Sequence, residues 1–154
     1  MQSDQDSSGV HVWLVLTKAF RALAAHAEMS LNSSRTGLGD SDFRVLEALL
    51  HKGPLPVNTI GPKVFLTPGS ISVAVDRLEK AGLVRRKSTD DRRVRLVELT
   101  PKGRALIAKT FRVHAGAMEE VAGVLSKEER LMLLRLLKKL GKGENVALTT
   151  TGEG

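Results

Sequence analysis

The segment from Thr67 to Arg95 (TPGSISVAVDRLEKAGLVRRKSTDDRRVR) leaves the chain few ways to fold. Thr67 can offer its hydroxyl to the orphan N–H groups of a first helical turn, and Pro68 stands where a missing N–H costs nothing. Gly82 supplies the positive φ on which helices commonly end. Directly after that stop, Leu83 to Arg95 carries six Lys and Arg against two Asp, a net +4 out of the chain's formal +7. Leu83–Arg86 and Val94–Leu99 suit strands, and Lys87–Arg93 between them reads as a polar turn. A capped helix is thus followed at once by a basic hairpin.

The flanks are helical. Val10 to about Ser34 places Val12, Leu16, Ala19, Phe20, Leu23 and Ala27 at three- and four-residue steps, the signature of an amphipathic helix. After the loop NSSRTGLGDS, Ser41 is the expected cap of a second helix with Phe43, Val45, Leu46, Leu49 and Leu50 inward, closed by Lys52-Gly53-Pro54. Val57 to Leu66 suits a short third helix with Ile60, Val64 and Phe65 or Leu66 inward. Pro62 would cost about 3 kcal/mol in a helix interior but is tolerated in a first turn, so this helix is expected to begin late, near Asn58 or Thr59, or to be irregular. Thr100-Pro101 opens a long helix whose stripe is Leu106, Ile107, Thr110, Phe111, His114, Ala117, Met118, Val121 and Leu125. Ser126 with Glu129 forms a capping box for a last helix rich in leucine, from Leu131 to Leu140.

This order predicts a mostly α fold with a small β-hairpin wing (α+β): a winged helix-turn-helix lobe over 40–99, flanked by helices at 10–34 and 100–141, with flexible tails at 1–9 and 142–154. The flanking helices carry more apolar surface than the central lobe can cover, which predicts a homodimer built on them. A sequence pI near 10.1 fits a polyanionic partner. With no cysteine, disulfides, thiolate chemistry and Cys-ligated zinc are excluded. No Gly-rich phosphate loop, metal cluster or nucleophile–base pairing is visible, so neither an enzyme nor a cofactor or metal site is expected. The N-terminus lacks an apolar h-region, and no run reaches the roughly 18 apolar residues of a membrane span, which predicts a cytoplasmic protein with no membrane partner.

On the helix from Pro68, a projection at about 100° per residue turns Ile71, Ala74, Val75 and Leu78 to the core. The opposite face holds Gly69, Val73, Asp76 and Lys80, flanked by Ser70, Ser72 and Arg77, and is small enough to enter a major groove. Ser70 and Ser72 can bond phosphates or base edges, Arg77 can fork onto guanine or phosphate or pair with Glu79 or another neighbour, and Val73 suits a thymine methyl. Thr67 and Pro68 stand at the end that enters first. Arg92 or Arg93 at the hairpin tip is placed for a minor groove. Asp91 is expected to hold Arg93 by accepting from it, while Arg85, Arg86, Lys87 and Arg95 read as phosphate contacts. A hairpin held by its own ion pairs is the competing reading.

The run LTPGSISVAVDRLEKAGLVRRKSTDDRRVRLVELTPKG closely resembles the MarR (multiple antibiotic resistance regulator) family of bacterial transcription factors. The family's VDRLEKxGLV helix end matches Val75 to Val84, its DxR wing tip matches Asp91-Arg92-Arg93, and its LT-x-KG exit matches Leu99 to Gly103. The resemblance implies a homodimer with interlocked terminal helices that binds a short palindromic operator on double-stranded DNA. It also implies repression relieved by a small aromatic or phenolic effector, and assigns the minor-groove arginine to Arg93. Effectors are expected between the dimerisation helices and the DNA-binding lobe, with Trp13, His11, Phe20, Phe43 and Arg44 as candidate lining and His26, His51 and His114 as further candidates. The alternative is a winged helix kept as a protein-interaction module, which has no need of an arginine-tipped hairpin.

Overall fold

Helix caps set most element boundaries in the computed structural model, which describes residues 6–142. The order is α1 (Gly9–Ser33), α2 (Asp40–Lys52), β1 (Leu55–Pro56), α3 (Val57–Lys63), α4 (Pro68–Lys80), β2 (Val84–Ser88), β3 (Arg95–Leu99), α5 (Pro101–Ala122) and α6 (Lys127–Lys142). The fold is mostly helical with one small antiparallel sheet, as predicted. The chain divides into two compact units, 1–118 and 119–154, with the division inside α5. Ser8 caps α1, so the helix starts inside the stretch expected to be a tail; residues 1–5 and 143–154 of the expected tails lie outside the described residues.

Thr67 caps α4 by accepting from the Ser70 N–H, and Pro68 opens the helix. At its other end the Leu83 N–H reaches the Leu78 carbonyl and the Gly82 N–H that of Glu79, each at 2.9 Å, with Gly82 at φ 72°. This crossed pair of bonds satisfies carbonyls a helix end would otherwise leave bare. Ile71, Ala74, Val75 and Leu78 are buried, as the projection requires. They join Phe43, Val45, Leu46 and Leu49 of α2, Ile60 of α3, Val84 and Val97 of the sheet and Ile107 of α5 in one core. Each large aliphatic side chain so buried contributes about 2 kcal/mol.

Three local expectations are corrected. Ser41 does not cap α2; Gly39 stands at that position without a side-chain bond, and Asp40 and Asp42 supply the negative charge that favours a helix N-terminus. Pro62 does not delay α3, which starts at Val57 and stops just past the proline. In so short a helix the missing N–H removes one bond near the end, so Pro62 shortens the helix rather than breaking it. The chain then reverses through Phe65 at φ 56°, with the Leu66 N–H bonded to the Gly61 carbonyl at 2.9 Å. Leu66 packs against the core and Phe65 is 89% exposed, which decides between the two. Finally, the sheet has three strands in the order β1-β3-β2, because Leu55 and Pro56 pair with Val97 and Leu96. A two-residue strand is too short to show alternation in sequence.

α5 begins against the turn that ends α4. The Thr100 N–H donates to the Leu83 carbonyl at 3.1 Å, and its hydroxyl donates to the Gly82 carbonyl at 2.6 Å while accepting from the Gly103 N–H at 3.0 Å. A Cβ on Gly103 would lie 1.8 Å from the Leu83 carbonyl oxygen. In the second unit, Ser126 and Glu129 form the predicted capping box, with bonds of 3.2 and 2.7 Å. No residue of α6 is buried.

Gly103→Ala is therefore expected to lose at least about 2 kcal/mol in urea denaturation, through overpacking against a backbone that cannot yield. Gly116→Ala on the same helix, with open space around it, should instead gain about 0.5 to 1 kcal/mol. Equal effects at the two sites would refute the close approach.

Candidate nucleic-acid interface

α4 and the β2–β3 hairpin present the residues that the sequence assigns to DNA. Thr67, Pro68, Gly69, Ser70, Ser72, Val73, Asp76 and Arg77 are all solvent-accessible, and Val73 keeps its apolar surface 60% exposed. The hydroxyls differ in what they can do. Ser70 accepts from the Thr67 hydroxyl at 2.9 Å and retains its own proton for an outside acceptor. Ser72 donates to the Pro68 carbonyl at 3.0 Å, so it meets a ligand as an acceptor.

The arginines divide sharply. Arg77 does not stand free for a base edge: its Nε and Nη2 fork onto Asp42 at 2.6 to 3.2 Å, with Ser41 Oγ at 3.4 Å from Nη2. These hydrogen bonds, then the Asp42 charge, raise its pKa above the ordinary value. Asp42 is nearly buried, and the pair fastens α4 to α2. The carboxylate is on α2 rather than at Glu79, which is why spacing within α4 did not reveal it.

Arg85 and Arg86, read from the sequence as phosphate contacts, are each engaged with carboxylates of the chain itself. Arg85 pairs with Glu98 at 2.6 Å, directly across the β2–β3 rung. Arg86 reaches Asp76 at 2.5 Å and Glu79 at 2.8 Å. The pleat explains the split: Val84 and Arg86 share the face turned to α4, whereas Arg85 and Lys87 share the other. That alternation is readable in sequence once Val84 is taken as core.

Lys87, Arg92, Arg93 and Arg95 form no ion pair with any described residue. Asp91 does hold Arg93, but through the backbone: its Oδ1 accepts from the Arg93 N–H at 3.0 Å, not from the guanidinium. The Asp91 carbonyl accepts from the Val94 N–H at 2.9 Å. Thr89, unremarked in the sequence, sets its hydroxyl 2.7 and 3.0 Å from the Asp91 and Val94 carbonyls. The turn is thereby shaped while the Arg92 and Arg93 side chains stay exposed.

A cavity of about 880 Å³ lies between α1 and the start of α2, lined by Phe20, Ala24, Leu31, Asp40, Arg44 and Phe65 among others. Of the five effector candidates it gathers Phe20 and Arg44. Arg44 pairs with Asp40 at 2.6 Å and donates to the Val64 carbonyl at 2.7 Å, and its buried Nε has no partner among the described residues. Phe43 is displaced from the cavity into the core, tilted on His114 at 4.9 Å. Trp13 stands 64% exposed on α1 and His11 lies near Asp6, and neither is among the lining residues. His51 packs edge-on against Phe111, and His114 Nδ1 donates to Ser30 Oγ at 3.1 Å, since that hydroxyl's proton goes to the Ala27 carbonyl. Phe65, missed as a lining residue, was hidden by its unusual positive φ.

The chain is 40% identical over 131 residues to the HTH-type transcriptional regulator MhqR of Bacillus subtilis strain 168, covering 84% of this chain and 89% of that one. The MarR family model matches residues 36–94, which run from before α2 through α4 and β2 to the wing tip. The chain belongs to the MarR family. A probable transcriptional regulator from Pseudomonas aeruginosa superposes with a TM-score of 0.69 at 30% identity, over 84% of this chain and 96% of that one. NadR in complex with 4-hydroxyphenylacetate superposes with a TM-score of 0.72 at 27% identity, over 85% and 95% of the two chains. This MarR-family chain is accordingly a DNA-binding transcriptional regulator and not an enzyme. Among the described residues, no helix is long and apolar enough to cross a membrane.

Asp91→Ala should raise the exchange rate of the Arg93 amide proton about fivefold, the loss of a bond worth about 1 kcal/mol. Unchanged exchange by NMR would mean that Asp91 does not shape the turn.

Proposed function

We propose that this MarR-family protein is a homodimeric, effector-responsive repressor that binds a short palindromic operator, with α4 in the major groove and Arg93 in the minor groove. The observation that carries this reading is the wing tip. Its backbone is braced by Thr89 and Asp91 while Lys87, Arg92, Arg93 and Arg95 make no ion pair with a described residue. A winged helix kept only as a protein-interaction module has no need of an arginine-tipped hairpin.

The dimer is supported by surface that one chain leaves uncovered. Val10, Trp13, Val15 and Phe20 of α1 and Leu131, Leu134 and Leu136 of α6 are all exposed. Apolar surface of that extent on helical flanks calls for a partner. A two-fold dimer presents two copies of α4, so half-sites should lie about one helical turn, 10 to 10.5 bp, apart. The effector reading rests on the α1–α2 cavity, whose volume is that of a small-molecule site, and on NadR's complex with 4-hydroxyphenylacetate. A small aromatic or phenolic molecule stacked on Phe20 or Phe65, with its polar group toward Arg44, suits the lining. Operator DNA as the partner implies a cytoplasmic protein.

Arg93→Ala is expected to weaken operator binding by at least about 1 kcal/mol while leaving the dimer intact, as for loss of a placed groove arginine. Mobility shift with size-exclusion chromatography reads both quantities, and an unchanged affinity removes Arg93 from the interface. A nuclease footprint on the bound DNA should cover two half-sites; protection of a single one would contradict the dimeric reading.

A further inference from the structure

Arg86 is set apart from the other wing cations by where its side chain goes. It leaves the middle of β2 on the face shared with buried Val84, opposite fully buried Val97 of β3. Its two terminal nitrogens divide between two carboxylates of α4, Nη2 to Asp76 at 2.5 Å and Nη1 to Glu79 at 2.8 Å. Asp76 and Glu79 are three residues apart and so lie on one helical face. Arg86 is the most buried of the three partners, with 26% of its side chain exposed against 58% and 42%. With Lys80, the three line a crevice of about 310 Å³ between the helix and the wing.

We propose that Arg86 is a positioning residue, which locks the wing to the recognition helix through Asp76 and Glu79 and so fixes the spacing between major-groove and minor-groove readers, rather than contacting DNA itself. Three features lead there. A fork held by two separate acceptors on one rigid helix resists rotation of the hairpin in a way that a single pair does not. The two acidic side chains face the side of α4 that meets a polyanion, where they would repel it if left uncompensated, and Arg86 supplies the compensation. The other ties between helix and wing are the Gly82 turn and the packing of Val84 and Val97 in one core with α4, to which the fork adds a polar, directional one. Specific recognition needs both readers at once, whereas non-specific attraction needs only charge, so the lock acts on discrimination.

The inference rests on the DNA-binding reading, and its test keeps the two apart. A duplex is first selected from a random-sequence pool with the wild-type full-length chain, and a scrambled duplex of the same composition serves as reference. Arg86→Gln and the double variant Asp76→Ala/Glu79→Ala are each expected to reduce the selected-to-scrambled affinity ratio about tenfold, within the range of one lost base-pair preference. Combining all three changes should reduce it no further, because either alone opens the lock. The slope of log affinity against log salt on the selected duplex should stay at the wild-type value in Arg86→Gln. A direct phosphate contact would flatten it by about 0.9 for each one lost. A general loss of folded protein would lower both affinities together and leave their ratio intact, which would overturn the proposal. So would an unchanged ratio in the double variant, which retains Arg86, or a flattened slope in Arg86→Gln. A wild-type chain that selects no duplex would overturn both the inference and the operator reading; preserved wild-type selection with unaffected variants would overturn the inference alone.

Discussion

Three consecutive carbonyls, those of Ala81, Gly82 and Leu83, tie the recognition helix, the wing and α5 together. The Ala81 oxygen accepts from Lys102 Nζ at 3.0 Å, the Gly82 oxygen from the Thr100 hydroxyl and the Leu83 oxygen from the Thr100 N–H. Gly103 has no side chain there because the Leu83 carbonyl occupies the space a Cβ would need. Gly82, in its left-handed conformation, lets the chain turn from helix to strand at this point without strain. The end of α4 therefore cannot shift without disturbing the start of α5. In the proposed dimer, that coupling would link the subunit arrangement to the surface assigned to DNA.

Around this junction the positive charge is sorted into two kinds. Arg77, Arg85 and Arg86 are engaged with Asp42, with Glu98 and with Asp76 and Glu79, and each pair joins two different elements. Exposed pairs of this kind contribute only about 0 to 1 kcal/mol each to stability, so their weight lies in geometry. Lys87, Arg92, Arg93 and Arg95 form no ion pair with a described residue and are the cations that the proposed reading gives to DNA. The high pI thus overstates the cation content of the reading surface, while the acidic residues among the arginines are what give that surface a shape.

Most of the fold was legible in the sequence because its signals are local. The Thr67-Pro68 cap, the Gly82 stop, the inward row from Ile71 to Leu78 and the Ser126–Glu129 box are each decided within a few residues, and the structure has them all. What escaped depends on distant partners or on backbone exceptions. Asp42 is far from Arg77 in sequence, Leu55 and Pro56 become a strand only through β3, and Phe65 takes a conformation that its side chain disfavours. The elements that carry the candidate site, α4 and the hairpin, were legible as elements. The division of its arginines was not, since a cation's partner is set by tertiary packing. The alternation through Val84 carries the signal that separates Arg86 from Arg85, but the sequence reading assigned both to phosphates.

The central claim is that engaged arginines hold the reading surface and free ones read. The most direct measurement is a crystal structure of the full chain on its selected duplex. The account predicts that Arg77 stays on Asp42 and Arg86 on Asp76 and Glu79 at hydrogen-bond distance, with Arg93 in the minor groove and Lys87 and Arg95 on phosphates. Arg77 or Arg86 released from its carboxylates and bonded to DNA would contradict it.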